Sequence, residues 1–524
     1  MDFPSRFLKP WPQRGLIFIL GAIGALAFAP LFIFPAFLLT MSGMWYILDK
    51  EIMRKTSFSK IFALGWWWGL GHFTVGLYWI TYALTVEVQT FWWLMPFSLF
   101  GIPAIIAIFS GFSFMITKFW PYPGISAAFA FAGIWIGVEW LRGHLLSGFP
   151  WNLLGYSLAF SLEMTQVASL TGVYGLSFLI ILMAIMLQYL VSKYSFERII
   201  ALCVYLLAIL CWIWGRERLT HVDPIDFPSV AVRIVQPNIP QALKWDPKQK
   251  EANLHTLLKM TAEPSTLPLK AIIWPETAVS YFLEQNDFYR TLIAKTIPKG
   301  TLLFTGALRR TSPEEKPVKI WNSLLVINSQ AQIVASYDKS HLVPFGEYLP
   351  FRSLLDAIFG EGTLKKLTAG SIDCTPGKGP ESISLPEGYP TFSGLVCYEV
   401  IFPHAVINPT QKRPNWMINV TNDGWYGKSA GPYQHLEMAR FRAVEEGIPL
   451  VRDSNSGISV VFDAYGRSIG SIGLGKEGIL DILLPAPARY VPLYARWGDW
   501  IVLMLMAGAL GLAWFFSLKR HSNE

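Results

Sequence analysis

Between Arg14 and Asp49 the chain carries no Asp, Glu, Lys, Arg or His, and Pro30 lies near the middle of that run. Nothing else in the sequence limits the fold so strongly. About 20 apolar residues of helix cross the hydrocarbon of a bilayer, and a charge placed at its centre is costly. The run is too long for one crossing and reads as a helical pair, 15–29 and 31–48. Further runs without acidic or basic residues follow at 61–86, 88–117, 119–138, 164–192 and 199–215, and a last one closes the chain at 500–518. The expectation is an α-helical membrane bundle of eight transmembrane helices, seven N-terminal and one C-terminal. Residues 1–216 form the seven-helix part, 217–498 an intervening domain, and 499–524 the final span and tail.

Composition agrees with this division. Mean hydropathy is +0.38, with charged residues at only 15% and 22 tryptophans, too apolar for a soluble domain of this length. The net charge of +7 belongs beside the spans rather than to nucleic-acid binding. Threading the spans alternately puts Arg6, Lys9, Arg14, Lys50, Arg54, Lys55, Lys60, Lys118, Lys193, Arg198, Lys519 and Arg520 on one side. The opposite short loops hold Arg142 alone. Positive charge is retained in the cytoplasm, so both termini are expected there and residues 216–498 on the far side. The same parity argues that 143–162 does not cross. It is expected to be interfacial or re-entrant, with Trp151 and Tyr156 at headgroup depth. Ala25-Leu26-Ala27 and Ala27-Phe28-Ala29 resemble cleavage sites, but apolar sequence continues beyond Pro30, as in a retained anchor.

Between 217 and 498 short apolar strands alternate with helical stretches. Strand candidates are 231–239, 271–276, 302–308, 323–328, 392–399, 416–422, 456–466 and 477–485, and helix candidates are 248–263 and 433–447. Strands apolar on both faces predict sheets covered on both sides, hence a layered α/β domain.

Within that domain, FSGLVCYEVIFP (392–403) sets Cys397 in an apolar run, with Glu399 two residues later. Three readings are open on the local sequence: a disulfide with Cys374, since an exported domain lies in an oxidising compartment; a buried inert thiol; and a nucleophile. A regular strand puts Glu399 on the same face as Cys397, where an acid needs a partner. WPET (274–277) ends a strand with Glu276, a solvated loop acid when taken alone. DKSHLVPFGE (338–347) sets Lys339 and Glu347 on either side of a Pro/Gly loop, where a surface salt bridge is the simpler reading.

Taken together, Glu276, Lys339 and Cys397 occur in the order and contexts of the Glu–Lys–Cys triad of the nitrilase superfamily. Longer strings narrow the likeness: QPNIPQALKW (236–245), HLVPFGEYLP (341–350), NVTNDGWYGKSAGPYQHLEMARFRAVEEGIPLVR (419–452), GFPWNLLGYS (148–157) and EWLRG (139–143). With these the chain resembles the bacterial apolipoprotein N-acyltransferase family over essentially its whole length. RDSNSG (452–457) departs from the more Thr/Asn-like string expected there, outside the triad.

The resemblance implies a nitrilase-like αββα sandwich between helices seven and eight, on the periplasmic side of the inner membrane. It also implies acyl transfer from a phospholipid, expected to be phosphatidylethanolamine, to the α-amine of an S-diacylglyceryl cysteine on an apolipoprotein. Cys397 is then the nucleophile, Glu276 the base and Lys339 the oxyanion donor. Glu347, Tyr398 and Glu399 support them, and Trp245 engages substrate. The segments 143–162 and 351–369 are equally readable as a substrate gate or as packing on the membrane surface. No cofactor and no metal is expected: His221, His255, His341, His404 and His435 lack zinc-type spacing, and no Gly-rich phosphate loop occurs. A monomer suffices. Two alternatives remain: a membrane-anchored amidase that hydrolyses a small amide through the same triad, and a transporter or receptor. The second needs ionisable groups inside spans. Glu139, Arg142 and Glu163 lie at span edges, and His72, within a span, is expected to pack against a neighbour.

Overall fold

The computed structural model describes residues 10–220, 226–312, 314–360, 366–368, 372–386 and 388–521. Arg6, Lys9, His221, and 361–365 with 369 of the apolar loop 351–369 lie outside the described residues. The chain forms two units, one of Met1–Thr81, Thr90–Val222 and Pro492–Glu524, the other of Tyr82–Gln89 and Asp223–Val491.

The first unit is helical. Its long helices are α1 (Pro10–Gly24), α2 (Phe34–Met53), α3 (Phe58–Gly76), α4 (Ile102–Thr117), α5 (Ile125–His144), α6 (Ala168–Tyr189) and α7 (Ser195–Thr220), with Trp500–His521 at the C-terminal end. Among the described residues five stretches, rather than the eight expected, are both long and apolar enough to cross a membrane: Phe97–Thr117, Ile125–His144, Ala168–Tyr189, Ser195–Thr220 and Trp500–Leu518. The difference has local causes. α1 is only 15 residues long, α2 closes on Asp49, Lys50 and Glu51, and α3 dilutes its apolar residues with three tryptophans, four interior and terminal glycines and His72. α5 buries most of its side chains, whereas α7 turns Ile199, Leu202, Leu206, Leu207 and Leu210 outward. An apolar face without protein cover suits contact with lipid.

The segment 143–162 contains no helix longer than five residues. Contrary to the expectation of headgroup depth, Trp151 and Tyr156 are buried inside the unit. Polar groups hold the segment there: Arg142 Nη1 donates to the carbonyls of Phe149 and Trp151, at 2.7 and 2.8 Å, and Leu154 N–H donates to Glu139 Oε1 at 2.9 Å. His72 stacks on Trp68, with ring centroids 4.9 Å apart.

Among its described residues the second unit contains twelve strands: β1 (Asp226–Gln236), β2 (Leu269–Trp274), β3 (Leu302–Arg310), β4 (Ile320–Asn328), β5 (Ile333–Asp338), β6 (Ser382–Ile383), β7 (Phe392–Val396), β8 (Trp416–Thr421), β9 (Leu450–Ser454), β10 (Ser459–Phe462), β11 (Ser468–Ile472) and β12 (Gly478–Pro485). They form two six-stranded sheets, ordered β12-β1-β2-β3-β4-β5 and β11-β10-β9-β8-β7-β6. In each sheet the central three strands are parallel, β1-β2-β3 and β7-β8-β9. The helices are α8 (Lys250–Ala262), α9 (Asp287–Ala294), α10 (Arg352–Phe359) and α11 (Gly431–Glu446).

Alternation along the strands sorts the core into layers. Ile234, Ile273, Phe304 and Val326 of the first sheet pack against Val396, Trp416, Ile418 and Val451 of the second. On its other face the first sheet sets Ile272, Trp274, Leu303 and Leu325 against Leu254, Leu257 and Met260 of α8 and Ile293 of α9. α11 lies along β9. Both faces of the central strands are covered, which is why they read as continuous apolar runs. Four strands had no such signal, among them the two-residue, half-buried β6. β5 and β11 are mostly half-exposed or exposed, and β9 interrupts its apolar pattern with Arg452 and Asp453.

One glycine sets the spacing where β2 ends. Gly306 N–H donates to Pro275 O at 3.2 Å, and Gly306 O accepts from Ala278 N at 2.9 Å. A Cβ there lies 2.5 Å from Glu276 Cα and Thr277 N, inside the backbone of the facing loop. Gly306→Ala is therefore expected to push the 275–278 loop away and destabilise the domain by about 1–3 kcal/mol. A lower thermal unfolding midpoint of the detergent-solubilised protein checks this; an unchanged midpoint refutes it.

Candidate active site

Parallel strands in a layered fold deliver their C-terminal ends to one edge, and loops there carry reactive groups. β2 ends at Trp274, and Glu276 follows in the loop pinned by Gly306. Lys339 lies one residue beyond β5, its N–H bonded to Asn322 O of β4 at 2.8 Å. Lys339 is 1% exposed and Glu276 7%, so the surface salt bridge suggested by the sequence is in fact buried. Lys339 Nζ stands 2.8 Å from Glu347 Oε2 and 3.9 Å from Glu276 Oε1. Asn322 Nδ2 bridges the two acids, donating to Glu276 Oε1 at 2.8 Å and Glu347 Oε1 at 2.9 Å. Val343 N–H donates to Glu347 Oε2 at 2.8 Å. Glu347 is thus saturated with donors, while Glu276 keeps a looser contact with the ammonium.

Cys397 stands at the end of β7, and here the structure departs from the strand expected over 392–399. The strand stops at Val396; Cys397 has φ +52° and opens a 3-10 turn over Cys397–Ile401. A non-glycine residue with positive φ is strained and signals a constraint from its surroundings. The turn sends Glu399 away from the face expected for a regular strand. Its Oε1 accepts from Tyr337 OH, Ser340 N, Ser340 Oγ and His341 N, and Oε2 accepts from Val396 N at 2.8 Å. Glu399 is therefore the clamp that fixes the turn. Tyr398 is buried in an aromatic cluster with His341 and Phe402, ring centroids 5.9 and 5.1 Å away. Cys397 itself is 6% exposed. All four cysteines are free thiols, so Cys397 and Cys374 are not joined.

The electrostatics follow from burial. Burial, then the charge of Glu276, pushes the Cys397 thiol up to about 12, against Lys339 and a hydrogen bond with Thr421. Burial also disfavours the charged Lys339, but Glu347, Glu276 and Cys397 more than offset it and hold the lysine well above its ordinary range. Burial raises Glu399, with the Val396 N–H and the Lys339 charge opposing. The resting site therefore holds a protonated thiol within electrostatic reach of the Lys339 ammonium and of Glu276.

Sequence reasoning missed several groups. Asn322 sits in an apolar strand, IWNSLLVIN, and an amide there on a core face was the available signal. Trp245 is half-buried, but its neighbour Lys244 is buried, and Lys244 Nζ donates to Glu276 O at 2.7 Å. The departing string 452–457 also proves to be interior. Arg452 pairs with Asp423 at 2.8 Å, and His435 Nδ1 lies 2.9 Å from the same carboxylate. Arg452 also donates to Asn419, which in turn donates to Cys397 O at 3.3 Å.

Comparison with known proteins places the chain. Residues 20–186 match the model of the apolipoprotein N-acyltransferase N-terminal domain, and residues 231–487 match that of carbon-nitrogen hydrolase. The chain is 36% identical to the apolipoprotein N-acyltransferase of Rhodopseudomonas palustris over 95% of its length and 94% of that protein's. It is 38% identical to that of Bradyrhizobium diazoefficiens, over 96% and 95% respectively. Among solved structures, an amidase from Nesterenkonia sp. is 22% identical with a TM-score of 0.35, covering 49% of this chain and 90% of that one. Extended identity of this kind runs through both units, and the chain belongs to the apolipoprotein N-acyltransferase family.

Proposed function

We propose that the enzyme acylates apolipoproteins through a thioester on Cys397, with Glu276 as the proton carrier and Lys339 as the oxyanion donor. The observation that carries this reading is a buried free thiol within electrostatic reach of Glu276 and of a lysine whose charge Glu347 maintains. Glu276 takes the thiol proton, and the sulfur adds to the ester carbonyl of a phospholipid. The negative oxygen that forms lies against the Lys339 ammonium. Collapse breaks the ester C–O bond, and Glu276 returns the proton to the departing lysophospholipid oxygen. In the second half the neutral α-amine of an S-diacylglyceryl cysteine attacks the thioester. Glu276 accepts its proton, and the C–S bond breaks to leave the amide and Cys397. Splitting the transfer in two keeps each leaving group manageable. Trp245 is assigned to substrate contact, Tyr398 to support beside Cys397, and Glu347 and Glu399 to holding Lys339 and the turn.

The donor is proposed to be phosphatidylethanolamine. Residues 1–216 are assigned to a seven-span bundle, 217–498 to a periplasmic catalytic domain and 499–524 to an eighth span, in an inner-membrane monomer with both termini cytoplasmic. Support comes from the five helices of crossing length, the outward apolar face of α7 and the one-sided Lys/Arg distribution. Substrates whose tails remain in the bilayer explain why a hydrolase-like domain is joined to so many spans.

Incubation with a defined phospholipid should add the mass of one acyl chain at Cys397. The adduct should be lost in Cys397→Ala and reduced at least about 100-fold in Glu276→Gln, and it should discharge onto a diacylglyceryl peptide amine. An adduct that only hydrolyses favours the amidase reading. Lys339→Met should lower kcat by about 10²–10³ with the protein still folded and membrane-inserted; a change confined to KM contradicts the oxyanion role. For topology, a cysteine introduced at exposed Gln330 in a background free of other cysteines should react with an impermeant maleimide in intact spheroplasts. Labelling only after lysis places the domain on the wrong side.

A further inference from the structure

The catalytic reading above uses one lysine, yet a second is buried at the same centre. Lys244 is 4% exposed and its Nζ donates to the backbone carbonyl of Glu276 at 2.7 Å. Its own loop is held on both sides. Lys244 O accepts from Ser280 Oγ at 2.9 Å, on the far side of the WPET loop. Gln241 accepts from Asn422, and Asn455 donates to Ile239 O at 2.8 Å. The ammonium is thus delivered to the Glu276 loop by a braced segment rather than by a freely moving surface chain. Burying a lysine is costly unless its charge is used, and one carbonyl is a poor return for a group with three donors.

We propose that Lys244 is a positioning residue for acyl transfer, tying down the Glu276 loop and supplying the positive charge that balances Glu276 and the Cys397 thiolate as the thiol ionises.

The charge inventory supports this, given the roles assigned above to Glu276 and Cys397. Glu276 and Glu347 contribute two negative charges, and Lys339 supplies one positive charge, already paired with Glu347. Asp423 is matched by Arg452. His435 is driven toward the neutral form by burial and by Arg452, and burial, with Cys397, Asp423 and Glu276, raises Tyr426 well above its normal range and keeps it neutral. Glu276 is thus the carboxylate left to Lys244. Glu399, raised by burial, has its oxygens taken by Tyr337, Ser340, His341 and Val396, so losing Lys244 removes a positive charge held at the Glu276 loop, where the sulfur must become an anion. Lys244 is also the titrating member. Burial lowers it to about 8, with Glu276 and Cys397 opposing, so its charge is present below that pH and lost above it.

The test is single-turnover acylation of Cys397 in the full-length, detergent-solubilised enzyme. A defined phosphatidylethanolamine serves as donor, read by intact mass between about pH 6 and 9.5. In the wild type the rate should rise with pH and then break downward near pH 8. Lys244→Arg, charged throughout, should abolish the break and keep the pH 7 rate within about threefold. Lys244→Met should lack the break and fall about tenfold or more at pH 7. A merely structural lysine predicts equal losses at every pH, with the break retained in Lys244→Arg, and that result overturns the proposal. So does a wild-type profile without a break. Should Lys244→Met fail to fold, judged by its unfolding midpoint, the presence or absence of the break in Lys244→Arg decides. Failure of the wild type to form any acyl–Cys397 adduct would instead refute the assignment of the nucleophile.

Discussion

Lys339 carries its charge out of water, and the arrangement around Cys397 follows from the need to keep that charge paired. An ammonium 1% exposed is tolerable only with a close carboxylate and further hydrogen bonds; stripping its partner costs on the order of 3–5 kcal/mol. Glu347 meets that need at 2.8 Å, and Val343 and Asn322 hold Glu347 in turn. Because this pair is self-sufficient, Glu276 at 3.9 Å is not consumed by the lysine. The division of labour between two glutamates is thus a matter of about 1 Å, set by Asn322 reaching both.

The turn at Cys397 depends on a second buried acid. Ending β7 one residue before the cysteine and entering φ +52° costs backbone strain on the order of 1–3 kcal/mol. Glu399 offsets it by collecting donors from Tyr337, Ser340, His341 and Val396. Ser340 and His341 directly follow Lys339. One carboxylate therefore ties the Cys397 turn to the Lys339 loop, and the two groups cannot drift apart independently.

Part of this was legible in the residues. Uncharged runs located the helices of the first unit because a charge is excluded from hydrocarbon, and apolar runs located the central strands because both faces of each sheet are covered. Edge strands such as β11, rich in serine and glycine, left no such mark. Among the described residues only five helices combine crossing length with high hydropathy, because α2 and α3 dilute their apolar residues with charges, glycine and tryptophan. Trp151 and Tyr156 looked interfacial by residue type, but Arg142 and Glu139 satisfy the backbone around them, so that segment lies inside protein.

By itself the sequence determined a helical membrane part and an α/β domain, and it singled out Glu276, Lys339 and Cys397 as candidates. Periodicity, exclusion of charge and motif order are properties of the linear chain. Only the tertiary structure decided that Glu347 saturates the lysine, that Asn322 bridges both acids, that Glu399 turns away from the thiol's face to clamp its turn, and that Lys244 reaches the Glu276 loop. Apart from the Lys339–Glu347 pair, the contacts that join these loops link residues from about 25 to nearly 60 positions apart. Which of them meet depends on how β2, β4, β5 and β7 stack across two facing sheets, and pairing across sheets leaves no trace in local spacing.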